Sequence, residues 1–366
     1  MTYLDYNATA PLRPEARAAL IAALDETGNP SSVHGPGRRA RRLVEDGREA
    51  VARLVAAPAA AVTFTGSATE ANNWALAAAG GRRVLIAADA HDSLAQAAPE
   101  AARVPLRPDG RLDLEALDGL LADGPALLAV MLANNETGVV QPAAEIAALA
   151  RRHGALLHVD AVQAAGRLPL DFAALDADSL ALSAHKLGGP QGVGALVLRP
   201  GLEPAPLLRG GGQERRRRAG TEAVAAIAGF GAAAAAAARD IADMPRLAAL
   251  RDGIEARLRA LCPGLPVFGA EAPRLANTSC LAMPGVAATV QLMHFDLAGI
   301  AVSAGAACSS GKVAASRVLT AMGVDPARAG EAVRVSLGWA TQAADLDRFA
   351  ESWAALWGRL GRRDAA

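Results

Sequence analysis

Leu182-Ser183-Ala184-His185-Lys186-Leu187-Gly188-Gly189-Pro190-Gln191-Gly192-Val193-Gly194 joins one apolar run, Ser179 to Ser183, to another, Ala195 to Leu198. Both runs have strand length, and the glycines between them read as a tight turn. Lys186 therefore falls at a strand end among small residues, where a bulky ligand can approach the backbone. Of the chain's 37 basic residues only two are lysine, Lys186 and Lys312. A guanidinium stays protonated, whereas a desolvated or cation-flanked amine can lose its proton and act as a nucleophile. A solvated lysine in a hairpin loop is the plain alternative. The scarcity of lysine and the adjacent His185 weigh against it.

Upstream of this stretch the pattern alternates. Val84 to Ala87, Leu127 to Leu132 and Ala155 to Val159 are further apolar runs of strand length, and Ala143 to His153 is a helix between two of them. This predicts an α/β fold, a mainly parallel sheet covered by helices on both faces. In such sheets ligands gather at strand carboxyl ends. The polar residues fall there: His91 after the first run, Asn134 to Gly138 after the second, Asp160 and Gln163 after the third, His185-Lys186 after the fourth.

Nearer the N-terminus, Pro14 to Leu24 reads as a helix opening on a favourable proline, Asn29 to Gly37 as a loop, and Arg38 to Ala56 as an arginine-rich helix. The strand-like Val62 to Thr65 runs into Gly66-Ser67-Ala68-Thr69 and then the helical Trp74 to Ala79. A small-residue turn at a helix N-terminus is a physical anion site, although most such turns only cap the helix. Downstream, Gly210 to Glu222 breaks the pattern with four consecutive arginines, Arg215 to Arg218, read as local anion contacts or a solvated loop. Val224 to Leu261 is helical, includes the alanine block Ala232 to Ala238, and is divided at Met244-Pro245. Beyond Cys262-Pro263 come short strands and two helices, which suggest a smaller α+β domain. There is no internal repeat.

A chain of 366 residues suits one large domain with a smaller one. The composition is 52% hydrophobic but only 3% aromatic, so the core is built from small side chains. Zero formal net charge argues against general nucleic-acid or acidic-membrane binding. No run of 18 apolar residues is evident, and Met1 to Asp5 lacks a basic segment followed by an apolar one, so the expected location is the cytoplasm. Cys262, Cys280 and Cys308 form neither a CxxC pair nor an even set, and no disulfide framework or metal site is expected.

Asp160 and Lys186 make sense together. A carboxylate at a buried strand end is costly unless paired with a cation, and a pyridinium nitrogen is such a cation. A nearby lysine can bond covalently to the same cofactor's aldehyde, His91 can stack on its ring, and the Gly66 to Thr69 turn can hold its phosphate. Singly, each residue has a duller role as a helix cap or loop residue. Jointly they describe a pocket for pyridoxal phosphate.

The ordered motifs Leu4-Asp5-Tyr6-Asn7-Ala8-Thr9, Asn29-Pro30-Ser31-Ser32-Val33-His34, Ala68-Thr69-Glu70, Asn134-Asn135-Glu136-Thr137-Gly138, His158-Val159-Asp160-Ala161-Val162-Gln163, Ser183-Ala184-His185-Lys186 and Gly210-Gly211-Gly212-Gln213-Glu214-Arg215 resemble those of the cysteine desulfurases. These are class V aminotransferases of fold type I, and the likeness covers nearly the whole chain. It implies a large cofactor-binding domain over 15–255 and a small domain from 1–14 and 256–366.

By that resemblance Lys186 would hold the cofactor covalently, Asp160 would pair with its ring nitrogen, and Gln163 would hydrogen-bond its ring oxygen. His91 would stack on the ring, and Ala68, Thr69, Ser183 and His185 would hold the phosphate. Thr221 would reach the phosphate of a neighbouring subunit, which implies a homodimer. Asn135 and Arg334 would hold the substrate carboxylate, for which a planar guanidinium is suited.

Cys308, in Ala307-Cys308-Ser309-Ser310-Gly311-Lys312, would take sulfur from L-cysteine as a persulfide. L-alanine would be released and the sulfur passed to an acceptor such as an iron–sulfur scaffold. Lys312 would favour the reactive thiolate. A selenocysteine lyase or another class V enzyme is the alternative. The phosphate turn departs from the family in its Gly66-Ser67 order, Arg209 stands where many members have histidine, and the sequence ends at Ala366 without a long tail.

Overall fold

The computed structural model describes residues 1–305 and 316–361. In chain order its elements are β1 (Thr2–Tyr3), α1 (Pro14–Leu24), α2 (Gly35–Leu54), β2 (Val62–Thr65), α3 (Ala68–Ala77), β3 (Arg83–Ala87), α4 (Asp92–Ala95), β4 (Ala102–Val104), α5 (Leu114–Ala122), β5 (Ala126–Met131), α6 (Ala143–Arg152), β6 (Leu156–Asp160), β7 (Ser179–Ser183) and β8 (Gly194–Leu198). Then follow α7 (Val224–Asp240), α8 (Met244–Leu261), β9 (Thr278–Ala282), α9 (Ala288–Leu297), β10 (Ile300–Ala301), α10 (Arg317–Ala321), α11 (Pro326–Ala329), β11 (Ala332–Ser336) and α12 (Ala343–Leu356).

The main sheet has seven strands in the order β2-β8-β7-β6-β5-β3-β4. β4, β3, β5, β6 and β7 pair in parallel, and β8 runs antiparallel to both its neighbours. The expected α/β architecture is therefore present. β8 is the exception because the Gly188 to Val193 turn returns the chain directly, whereas a parallel neighbour needs a long crossover. β5, β7 and β8 are buried along their whole length, as strands covered on both faces must be.

The alanine-rich α7 packs on α1 and α2. A Cβ on Gly231 would lie 2.6 Å from the Cα of Gly47, so the two helices cross with backbones almost touching. Here the shortage of large side chains becomes a close helix crossing. The helical region Val224–Leu261 is long and apolar enough to cross a bilayer by length and composition, where no run of 18 apolar residues was expected. In the fold, α7 buries Ile227, Phe230, Ala233, Ala234 and Ala237 in the main core.

A second core gathers Leu4 from the N-terminal segment, Leu247, Ile254 and Leu258 from α8, and Phe295, Val333, Phe349 and Trp353 from the C-terminal elements. β9 and β11 form its antiparallel pair. The N-terminal segment thus lies between the two cores and crosses the strand ends of the main sheet.

Several boundaries differ from expectation for local reasons. α2 starts at Gly35, inside the expected loop, because the His34 ring accepts a hydrogen bond from the Gly37 N–H and Pro36 suits a first turn. α3 starts at Ala68, six residues before Trp74, because the Ser67 hydroxyl caps the Glu70 N–H. The sequence reading left β4 and α5 unassigned and did not separate the single-turn helices α10 and α11 from α9 and α12.

Within the arginine run, Arg217 pairs with Glu203 and Arg218 with Glu70, as local anion contacts. Glu214, Arg215 and Arg216 all have positive φ, at 47°, 58° and 67°. This costly backbone is held by a buried ion pair: Glu214 takes two hydrogen bonds from Arg48, at 2.7 and 2.9 Å, and one from the Phe64 N–H at 2.9 Å.

Candidate active site

Lys186 lies in the 3₁₀ turn Ala184–Lys186 that ends β7. Its ammonium donates to the main-chain oxygens of Asn7 at 2.6 Å and Ala8 at 2.7 Å. The Asn7 oxygen also accepts from Gln163 Nε2 at 3.0 Å. Asn7 is itself fixed: its N–H reaches Ser336 Oγ, its Nδ2 the Asn135 oxygen and Thr278 Oγ1, and its Oδ1 accepts from Arg167 and Asn277. The sequence reading quoted Asn7 within a motif and gave it no role. Its work is done by a main-chain oxygen, which no side-chain pattern reports.

These groups line a cavity of about 390 Å³ at the strand carboxyl ends. On one wall, Asp160 ends β6, with Oδ2 accepting from Asn72 Nδ2 at 2.8 Å and Oδ1 from the Val162 N–H at 3.0 Å. Both oxygens are acceptors, the arrangement of a carboxylate. Gln163 follows one turn later and turns its Oε1 to Arg167, which can only donate. Its amide nitrogen therefore faces the Asn7 side. Burial and then the Arg334 charge push the Arg167 guanidinium down to about 9.

At another wall, β2 leads through Gly66-Ser67 into α3, whose first residues Ala68 and Thr69 line the cavity. First-turn N–H groups have no partner within a helix and point at what lies beyond. Gly194 opens β8 directly beneath this turn, where a Cβ would come within 2.6 Å of the Ser67 carbonyl carbon and 2.8 Å of the Ala68 nitrogen. A side chain there would push the turn away. In the Gly66-Ser67 order the serine is the helix cap, its hydroxyl accepting from the Glu70 N–H.

Ser183 and His185 line the same cavity. His185 Nδ1 meets Thr9 Oγ1 at 3.1 Å. Burial, and then the neighbouring Lys186 charge, push its imidazole down to about 4, so it is neutral at neutral pH.

At the wall nearest the second core, Arg334 on β11 pairs with Asp5 at 2.7 Å and donates to the Asn135 oxygen at 3.0 Å. Its Nε is buried and has no hydrogen-bond partner among the described residues. A buried donor left unmade is expensive, and Arg334 itself lines the cavity. Asn135 and His91 line the cavity with it.

Two more carboxylates lie here that the sequence reading did not single out as site residues. Glu136 accepts from Ser316 Oγ at 2.6 Å, and Asp89 accepts from Asn134 Nδ2 at 2.9 Å. Burial raises both, Asp89 to about 6. Since the folded Asp89 carboxyl holds its proton at higher pH than the unfolded one, its ionisation weakens the fold above pH 6. That penalty fades as pH falls from 6 towards 4. The Asp89→Asn variant is expected to melt roughly 2–5 °C above the wild type at pH 8, with the difference closing by pH 4.5. Thermal melts across that range check it, and a pH-independent difference would contradict it.

Ten of the residues singled out from the sequence meet in this cavity. Thr221 does not: it is exposed and away from the cavity of its own chain. Cys308 and Lys312 lie outside the described residues. The flanking residues Gly305 and Ser316 are at the cavity, Gly305 in its wall and Ser316 bonded to the lining residue Glu136.

An amine, a strand-end carboxylate, a helix N-terminus with a hydroxyl beside it, and an imidazole are the donor set a pyridoxal phosphate requires, and the residues present fit that group. Residues 2–349 match the family model described as Aminotransferase class-V, and the chain belongs to that family. Along nearly its whole length it is similar to cysteine desulfurases. That of Cereibacter sphaeroides is 43% identical over 367 residues, covering 95% of this chain and 94% of the relative. A solved structure of a NifS-like protein from Rickettsia africae superposes with a TM-score of 0.92 at 34% identity, covering 98% and 99% of the two chains. A structure described as SspA in complex with cysteine has a TM-score of 0.79 at 25% identity, covering 92% and 99%.

Proposed function

We propose that the protein is a pyridoxal-phosphate-dependent cysteine desulfurase that converts L-cysteine to L-alanine and transfers the sulfur to Cys308. The observation that carries this is the meeting, in one cavity, of the Lys186 amine, the Asp160 carboxylate and an Arg334 guanidinium with an unmade buried hydrogen bond. The similarity to cysteine desulfurases supports the choice of reaction.

Lys186 would hold the cofactor, Asp160 its ring nitrogen, Gln163 its ring oxygen and His91 its face. Ala68, Thr69, Ser183 and His185 would hold the phosphate. Thr221 would complete the phosphate site of a second subunit, so the working unit would be a homodimer. Arg334 and Asn135 would bind the substrate carboxylate. When bound, pyridoxal phosphate withdraws electrons from the substrate α-carbon. The Lys186 amine takes the α-proton. The Cys308 thiolate then attacks the substrate sulfur: an S–S bond forms, the C–S bond breaks, its electron pair stays on the β-carbon, which is protonated, and the Lys186 amine returns its proton to the α-carbon to give alanine. The persulfide would pass to an acceptor such as an iron–sulfur scaffold protein.

The test is product analysis on the cofactor-loaded protein with a reductant. L-cysteine should give alanine and sulfide in equal amounts. Alanine formation from L-selenocysteine alone would make the protein a selenocysteine lyase instead.

A further inference from the structure

Asp160 and His158 sit two apart on β6, and residues two apart on a strand share a face. Asn72, on α3, spans them. Its Nδ2 donates to Asp160 Oδ2 at 2.8 Å and to Ser93 Oγ at 2.8 Å, and its Oδ1 lies 2.9 Å from His158 Nε2. With its nitrogen committed to the carboxylate, the amide presents only its oxygen to His158. His158 must therefore carry its proton on Nε2, and its Nδ1 accepts from Ser179 Oγ at 2.8 Å.

The other branch is fixed as well. The Ser93 N–H meets His91 Nδ1 at 3.1 Å, and a main-chain N–H can only donate. His91 Nδ1 is thus an acceptor, the Ser93 hydroxyl donates to it at 2.8 Å, and the His91 proton sits on Nε2. Asn72 is fully buried and His158 has no exposed surface. Neither was singled out from the sequence, and nothing in the reaction above uses them.

We propose that Asn72 is a positioning residue that joins Asp160 and His91 into one unit, with His158 setting the direction of its amide. The inference rests on the functional reading above, because Asp160 and His91 are the groups assigned to the cofactor ring. The relay runs Ser179 to His158 to Asn72, then to Asp160 on one side and through Ser93 to His91 on the other. Burial holds His158 neutral, at about 4, so the direction does not reverse near neutral pH. Loss of the Asn72 amide would free Asp160 Oδ2 and the Ser93 hydroxyl together, loosening both ring contacts at once.

The test compares Asn72→Ala, His158→Leu and His158→Gln with the wild type, all loaded with pyridoxal phosphate. Two readouts are used: the visible absorption band of the bound cofactor, and the division between kcat and KM for L-cysteine. Asn72→Ala is expected to move the band and lower kcat about 10–100-fold with KM within about twofold, an effect typical of residues that orient a site's direct ligands. His158→Leu should move both the same way by less, and His158→Gln, whose amide can still donate to Asn72, should recover most of the loss.

Unchanged band and kcat in both Asn72→Ala and His158→Leu would overturn the proposal. So would equal damage from His158→Leu and His158→Gln, which would mark a packing role. If Asn72→Ala does not accumulate, the two His158 variants decide. A wild type that shows the band but releases no alanine defeats the desulfurase reading instead, and the band comparison still decides the relay.

Discussion

Lys186→Ala is expected to abolish alanine formation, by at least about 10⁴-fold, the scale seen when an enzyme loses its central reacting group. The proposed reaction gives this one amine two tasks, holding the cofactor and moving the α-proton, and no second lysine is present among the described residues. Borohydride reduction followed by peptide mapping gives an independent readout. The wild type should carry the cofactor on the peptide containing Lys186, and the variant should carry none. The fold should survive, with a melting temperature within about 3 °C. The Asn7 and Ala8 oxygens that lose their donor face a cavity where water can replace it. Substantial alanine formation by the variant would remove Lys186 from the mechanism.

Cys308→Ala is expected to lower sulfide release at least about 100-fold while leaving the cofactor's spectral response to L-cysteine intact. The two effects separate because the groups proposed to bind cofactor and substrate, Lys186, Arg334 and Asn135, lie in the described cavity. The thiol enters only when the C–S bond breaks. Titrating sulfide against alanine under single turnover makes the separation visible. A variant that releases sulfide as fast as the wild type would exclude Cys308 as the sulfur carrier and favour a lyase that frees the chalcogen directly.

The parallel sheet was legible because its parallel strands other than β4 are largely apolar runs of five or six residues bounded by small or polar ones, the pattern that burial on both faces imposes. Lys186 and Asp160 were legible for a related reason: polar residues that closely follow such runs fall at one edge of the sheet. The start of α3 was hidden because one serine hydroxyl decided it. β4, of three residues, and the single-turn α10 and α11 carry too few residues to show a period.

By itself the sequence determined the α/β class, the order along the chain of the main-sheet strands other than β4, and which residue types arrive at their ends, since these follow from hydrophobic period and local turn chemistry. Only the tertiary structure decided that Asn7 brings its main-chain oxygen to Lys186 across a separation of 179 residues. It alone placed Arg334 beside Asp5, left Asn72 between Asp160 and His158, and buried Asp89 and Glu136 at the same cavity. The physical reason is that hydrogen-bond direction and burial depend on which distant groups share a low-dielectric space, and spacing along the chain carries no record of that.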